Sequence, residues 1–315
     1  MKDSKGREIS YLRLSVTDRC NLRCIYCMPE EGVPLVSHSE ILSVDETVRL
    51  TGIIMKAADI SKIRLTGGEP LVRKGLLDIA GGISALHPRE LVLTTNGLLL
   101  KSMAAELAGA GIQRVNISLD SLNDARIRRI SRRDISLKDI ENAVSAAFET
   151  GLDPVKVNCV VMRNINDDEI ADFIRWSMRM NVTVRFIEHM PSRLDDDVFV
   201  SRDEILERAS VLGEIIRQDD DIGTAGIYSI VNTDISFGII APFSDPMCSS
   251  CTRIRLSATG ALFSCLAQEN GVSLIELLRS DSDDLAVSEL VREAVWSKPD
   301  SHGGCVHAKM WKIGG

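Results

Sequence analysis

Up to about residue 185, apolar positions along this 315-residue chain alternate between two periods. Short runs rich in β-branched residues, at 11–16, 63–66, 91–94, 115–119, 155–161 and 183–187, have the length and composition of strands. Between them lie helical stretches at about 44–58, 75–86, 98–108, 137–149 and 168–180. Ser136 and Asp168 stand where helix N-caps are wanted. Alternating strands and helices predict a parallel sheet covered by helices. Six strands are too few for a closed eight-stranded barrel, so the pattern predicts an α/β fold with a partial (β/α)6 barrel of the TIM type. A doubly wound sheet is the rival, but no G-x-G-x-x-G follows the first strand.

Beyond about residue 217 the pattern changes. Residues 226–231 and 235–240 predict a hairpin, followed by helices near 274–279 and 285–297. This divides the chain into a barrel at 1–215 and a small C-terminal α+β extension at 216–315. Unusual polar residues fall just past the strand ends, where barrel active sites are built. Gly67-Gly68-Glu69-Pro70 follows the second strand, Thr95-Asn96-Gly97 the third, Ser118-Leu119-Asp120 the fourth and Glu188-His189-Met190 the sixth. After the first strand come cysteines.

Composition narrows the class. At 44% apolar residues the chain can bury a core, roughly three quarters of its unfolded surface at this length. No run approaches the roughly 18 apolar residues of a membrane span, and no apolar leader follows Met1-Lys2-Asp3, so a reduced, cytoplasmic setting is expected. A net charge of −8 counts against a nucleic-acid partner. The basic run 126–133 reads as a solvated segment between a strand and a helix, and the acidic groups at 195–197 and 219–221 as solvated loops.

Six of the eight cysteines fall into two sets: Cys20, Cys24 and Cys27 (C-x3-C-x2-C), and Cys248, Cys251 and Cys265 (C-x2-C-x13-C). Cys159 and Cys305 read as ordinary thiols. Disulfide frameworks belong mainly to short secreted chains. An iron–sulfur cube has four irons, so three thiolates leave one iron open for a ligand. Zinc is a poor fit to the first set, which lacks a fourth ligand. The second set by spacing alone fits either metal, with His302 or His307 as a fourth ligand to zinc.

The C-x3-C-x2-C loop with Tyr26 inside it, and the Gly67-Gly68-Glu69-Pro70 run behind it, resemble the radical S-adenosylmethionine superfamily. There the glycines would let backbone groups approach the cofactor. The resemblance extends along the chain: R-L-S-V-T-D-R-C-N-L-R-C-I-Y-C near the start, Met247-Cys248-Ser249-Ser250-Cys251-Thr252-Arg253-Ile254-Arg255-Leu256 running on to Cys265-Leu266, and a Gly314-Gly315 end. Together these resemble the GTP 3′,8-cyclase family of molybdenum-cofactor biosynthesis (the MoaA family). Position 252 is Thr where that family usually has Asn.

The resemblance implies two [4Fe–4S] clusters and S-adenosylmethionine as cofactors. Cys20, Cys24 and Cys27 would hold the cofactor-cleaving cluster, with Tyr26, Gly68, Ser118 and Met190 lining the S-adenosylmethionine site. Cys248, Cys251 and Cys265 would hold a second cluster that meets the guanine base. Arg13, Arg64, Thr95, Lys156, Arg253 and Arg255 would contact GTP, with Arg13, Arg253 and Arg255 catalytic; Lys62 and Arg185 are further candidates for its phosphates. A 5′-deoxyadenosyl radical would take the ribose C3′ hydrogen, and C3′ would then bond to guanine C8. The Gly-Gly tail would reach into the site.

The implied partners are a flavodoxin or ferredoxin as electron donor, a downstream cyclic pyranopterin monophosphate synthase and a second copy in a homodimer. Because a triphosphate carries about four negative charges, a chain of net charge −8 must concentrate arginines at such a site. The alternative is a radical enzyme acting on a peptide through an auxiliary cluster; such enzymes usually carry more C-terminal cysteines.

Overall fold

The computed structural model describes residues 1–190, 196–218, 225–280 and 284–302. Strands β1 (Tyr11–Ser15), β2 (Lys62–Thr66), β3 (Glu90–Thr95), β4 (Arg114–Ser118), β5 (Lys156–Val161) and β6 (Thr183–Glu188) alternate with helices α1 (Val44–Ala58), α2 (Leu76–Ser84), α3 (Leu100–Gly109), α4 (Asp124–Ser131) with α5 (Leu137–Glu149), and α6 (Ile170–Met180). Then come α7 (Arg202–Ala209), β7 (Ile215–Arg217), the hairpin β8 (Gly226–Ile230) and β9 (Ser236–Ile240), β10 (Arg253–Leu256), β11 (Ala261–Phe263), β12 (Val272–Ser273), α8 (Ile275–Arg279) and α9 (Asp284–Trp296).

All strands join one sheet in the order β12-β11-β10-β1-β2-β3-β4-β5-β6-β9-β8-β7. The six predicted strands are parallel neighbours, and β10 beside β1 and β9 beside β6 continue the parallel run on both flanks. The order runs from β12 to β7, with no closing pair between these ends among the described residues. The α+β stretch expected at the C-terminus is present, joined to the barrel through β9 and β10. Its last helix, α9, buries Val287, Val291, Ala294 and Val295 and packs on α1. No described helix is long and apolar enough to cross a membrane.

The register explains the strand pattern. Leu12, Ile63 and Leu91 lie side by side, as do Leu14, Leu65 and Leu93, fully buried under the helices. Cys159 sits in this layer, where burial pushes its thiol up, as suits an ordinary thiol. Residues of the opposite parity turn inward and are polar. Because covered parallel strands are buried on both faces, that polar inner row departs from a plain core.

Two expectations are corrected. Ser136 caps α5 in a reciprocal capping box with Asp139, but Asp168 does not cap α6; the N-cap is Glu169. Asp168 instead takes Arg126 at 2.6 Å, which holds it off the helix end. The basic run lies between a strand and a helix with Arg128 and Arg129 exposed, but it is itself helical: residues 124–131 form α4, with Asn123 as N-cap and Ile127 and Ile130 buried. Two isoleucines three positions apart make a narrow helical face that the charges obscure.

Candidate active site

Pairing of β1 with its two neighbours sets Arg13 between Arg64 and Arg255, and Tyr11 between Lys62 and Arg253. Further round, Asn116 pairs with Lys156, and Asn158 with Arg185. The inner face therefore carries Arg13, Lys62, Arg64, Arg114, Lys156, Arg185, Arg253 and Arg255, against one strand carboxylate, Glu90. Glu90 is itself taken at the foot of the barrel by Arg114 and, at 3.1 Å, by Lys62.

Arg64 and Arg185 are held by hydroxyl and amide groups. Arg64 donates Nη1 to Thr94 Oγ1 (2.9 Å) and Nε to the Tyr11 hydroxyl. Arg185 donates Nε and Nη2 to Asn158 Oδ1 at 3.0 and 2.7 Å. Asn116, with its amide oxygen turned to them, bridges Arg64 and Arg185. The threonine and amide acceptors fix the guanidinium forks without neutralising them. Burial and mutual repulsion consequently push Arg13 down to about 10, Arg185 to about 9, and Lys62 and Lys156 to about 8. Arg255 falls well below its ordinary value for the same reasons. A buried array of this kind calls for a polyanion.

The mouth above this face is a cavity of about 400 Å³ that both cysteine sets line. The first set is braced by α4, whose last carbonyls, on Ile130 and Ser131, accept from Ile25 N and Arg23 N at 3.0 Å. Arg132 adds a bond to the Met28 carbonyl. Burial first, then the charges of Asp120 and the neighbouring thiols, push Cys24 well up; burial and Cys20 push Cys27 to about 12. Three crowded thiols that resist ionisation without a cation fit an iron cluster, which supplies that charge. Among the described residues no three His, Cys, Asp or Glu side chains converge on a single ion. A cube asks for something else, since each thiolate meets a different iron.

Gly67 and Gly68 have a reason other than room for a cofactor. A Cβ on Gly68 would lie 2.4 Å from the Arg19 carbonyl oxygen, and one on Gly67 2.6 Å from that of Thr17. These glycines let β2 pack against the chain entering the cysteine loop, where Gly68 N and Glu69 N donate to Thr17 O and Arg19 O at 2.8 Å. Glu69 then turns inward and accepts from Thr95 Oγ1, Asn96 N and Leu71 N. Burial nonetheless raises it to about 7. Asp120 accepts from the Tyr26 hydroxyl at 2.8 Å and from Val160 N, and burial lifts it to about 6. The carboxylates thus sit by the first cysteine set.

In the second set, Cys251 N donates to Cys248 O, and Arg7 Nη1 also donates to that carbonyl, at 2.9 Å. Gln268 Oε1 accepts from Cys265 N at 3.1 Å. Burial would raise Cys251, but the charges of Arg253 and Lys298 pull it down to about 7. His302, a candidate zinc ligand, has Nε2 2.6 Å from the Pro242 carbonyl. The Thr252 carbonyl accepts from Ser10 N and Tyr11 N, so the backbone at this position pins β1 whatever its side chain. Cys305, His307 and the Gly314-Gly315 tail lie outside the described residues, as do residues 191–195 and 219–224.

The structure brings Cys20, Cys24, Cys27, Cys248, Cys251, Cys265, Tyr26, Gly68, Ser118, Met190, Arg13, Arg64, Thr95, Arg253, Arg255 and Arg185 to this one cavity. Lys156 and Lys62 share the inner face but stand at the strand starts, beneath the lining. Sequence reasoning passed over Tyr11, Asn116, Asn158 and Lys298. Tyr11, two positions before Arg13, carried a parity signal; Lys298 carried none.

These features define a radical S-adenosylmethionine enzyme, and the radical SAM superfamily model matches residues 14–177. A second model, Molybdenum Cofactor Synthesis C, matches residues 182–304. More narrowly, the chain belongs to the GTP 3′,8-cyclase family. It is 44% identical over 307 residues to the GTP 3′,8-cyclase of Geobacter sulfurreducens, covering 96% of this chain and 93% of the relative. It is 41% identical to that of Thermodesulfovibrio yellowstonii, with all of both chains covered. Among solved structures, Streptococcus suis SuiB superposes with a TM-score of 0.62 over 93% of this chain and 67% of the other, at 12% identity, a likeness of fold.

Proposed function

We propose that this chain catalyses the 3′,8-cyclisation of GTP to (8S)-3′,8-cyclo-7,8-dihydroguanosine 5′-triphosphate, the first step of molybdopterin biosynthesis. The observation that carries the reading is the inner face of the barrel, where buried cations outnumber the one strand carboxylate and lead up to a cavity lined by two cysteine sets. That arrangement fits a long polyanion whose other end reaches both sets. Eight relatives of about 40% identity, all GTP 3′,8-cyclases, support the same substrate.

Cys20, Cys24 and Cys27 would hold the cluster that engages S-adenosylmethionine, and Cys248, Cys251 and Cys265 a second cluster facing the base. When bound and reduced, the first cluster and S-adenosylmethionine supply the 5′-deoxyadenosyl radical that takes hydrogen from ribose C3′. The chain's own residues do the positioning. Arg13, Arg64, Arg185, Arg253 and Arg255 bind the triphosphate, their forks matched to phosphate oxygens. Lys62 and Lys156, deeper on the same face, extend the positive field to the terminal phosphate. With the phosphates anchored below and the base held above, C3′ and C8 are kept in near contact, where orientation contributes most. Tyr26, Gly68, Ser118 and Met190 line the cofactor side, and Thr95, on the same cavity, contacts GTP. The C-terminal third, from about 216, carries the second cysteine set over the mouth and so limits water at the radical.

The reading places the enzyme in the cytoplasm, reduced by a flavodoxin or ferredoxin, working as a homodimer and handing its product to a cyclic pyranopterin monophosphate synthase. The test is anaerobic: load the clusters, reduce, add S-adenosylmethionine, and measure 5′-deoxyadenosine with and without GTP. GTP-dependent release with a nucleotide product of unchanged mass is expected. Release indifferent to GTP would transfer the chemistry to another substrate, a peptide being the alternative.

A further inference from the structure

Lys298 follows the last helix and is 3% exposed. Its Nζ donates to the carbonyl of Arg253, at 2.8 Å, and to that of Ser264. These carbonyls sit two residues after Cys251 and one before Cys265, so the ammonium is held between the loops that carry those cysteines. It lines the same cavity as Cys248, Cys251 and Cys265.

An ammonium has three N–H groups and no acceptor. Two are spent on carbonyls, which carry no charge to offset its own. The charged groups acting on it are Cys251 and Cys265, of opposite sign when ionised, and Arg7, of like sign. Arg7 is already matched by Asp3 at 2.6 Å in a buried pair. It also clamps the backbone from Lys298 onward, donating Nη2 to the carbonyls of Lys298 and Pro299 and Nη1 to those of Asp300 and Cys248. Lys298 is therefore a rigidly placed, buried cation with thiolates for counter-charge. Burying such a charge is costly unless an opposite one is close.

We propose that Lys298 is a positioning residue of the second cluster: its fixed ammonium offsets the charge of the Cys251 and Cys265 thiolates and holds the cluster's reduction potential up. The proposal rests on these cysteines holding a [4Fe–4S] cluster. A cube with three thiolates gains one negative charge on reduction, and a cation within the same loop pair favours that form.

The test uses the loaded holoenzyme, titrated anaerobically and followed by electron paramagnetic resonance. S-adenosylmethionine marks the signal of the first cluster, and GTP that of the second. In Lys298→Met the GTP-responsive signal should reduce at a more negative potential, with at least a tenfold smaller reduced-to-oxidised ratio at fixed potential, about 59 mV for one electron. The other signal should stay in place, and Lys298→Arg should titrate like the wild type. If Lys298→Met sheds the second cluster's iron while Lys298→Arg keeps it, charge compensation is again the cause. An unshifted Lys298→Met with full iron overturns the proposal, as does equal iron loss in both variants, which makes Lys298 a packing residue. Wild type with about four irons and one zinc would instead overturn the cluster reading itself.

Discussion

Arg64 donates from Nε to the hydroxyl of Tyr11, and the Lys62 ammonium lies 5.1 Å from the centre of the same ring. One phenol thus faces cations from the adjoining strand at both its edge and its face. Burial would raise Tyr11, but the charges of Arg64, Arg13 and Lys62 bring it down to about 7. The tyrosine is where the positive field of the barrel is felt by a group that can answer it.

A pH effect follows. Tyr11 ionises near 7 folded against 10.0 ordinarily, so its contribution to stability is full above pH 10 and is lost as pH falls through about 7. Bound triphosphate would cancel the field that depresses it, and the phenolate would then take up a proton. Calorimetry of GTP binding at about pH 8, in buffers of different ionisation enthalpy, should show more proton uptake by the wild type than by Tyr11→Phe, in which Lys62 and Lys156 still take up protons. Equal proton counts would remove Tyr11 from the site.

Arg253→Ala and Arg255→Ala each delete a fork from the inner face while leaving the β10 backbone that holds Lys298. A hydrogen bond to a charged group contributes about 1.5–3 kcal/mol, so each should weaken GTP binding roughly tenfold to over a hundredfold. Iron content should not change in Arg255→Ala. Wild-type turnover by both variants would show that the pair does not touch the substrate.

Gly68→Ala should cost the first cluster. The added methyl would sit 2.4 Å from the Arg19 carbonyl oxygen, backbone that cannot yield without moving the cysteine loop. Iron should fall from about eight to about four per chain, with the S-adenosylmethionine-responsive signal gone. Gly81→Ala, in α2 with nothing within 4 Å, is the control and should be neutral or stabilising by up to about 1 kcal/mol. Equal iron in the two variants would mean that the loop does not depend on this contact.

Arg7→Met should destabilise the protein. It strands Asp3, whose side chain is fully buried, and frees the carbonyls of Cys248, Lys298 and Pro299. Breaking one partner of a buried pair costs about 3–5 kcal/mol, which a thermal melt would register as a drop of several degrees. Asp3→Asn on top of Arg7→Met should recover part of it. No recovery would assign the loss to the backbone clamp alone.

Much of this was legible beforehand. The periods of 2 and 3.6 located the strands and the main helices, because a chain buried under helices must repeat its apolar residues at those spacings. Helix α4 was missed: in Arg126–Arg133 the charges outnumber Ile127 and Ile130, and only the contact with the cysteine loop reveals which face is inward. The two cysteine sets were legible because ligand spacing is a local property of the chain.

The sequence by itself singled out residues that line the cavity: the two cysteine sets, the glycine pair and the arginines of β1, β2 and β10. Tertiary structure alone decided how they combine. Strand register set Arg13 between Arg64 and Arg255, though these lie far apart along the chain. It also gave the glycines at 67 and 68 their true neighbour, the backbone of Thr17 and Arg19. Lys298 became significant only when folding placed its ammonium between the carbonyls of Arg253 and Ser264. Local spacing is written into a sequence, but the environment of a buried charge depends on groups that only the fold brings together.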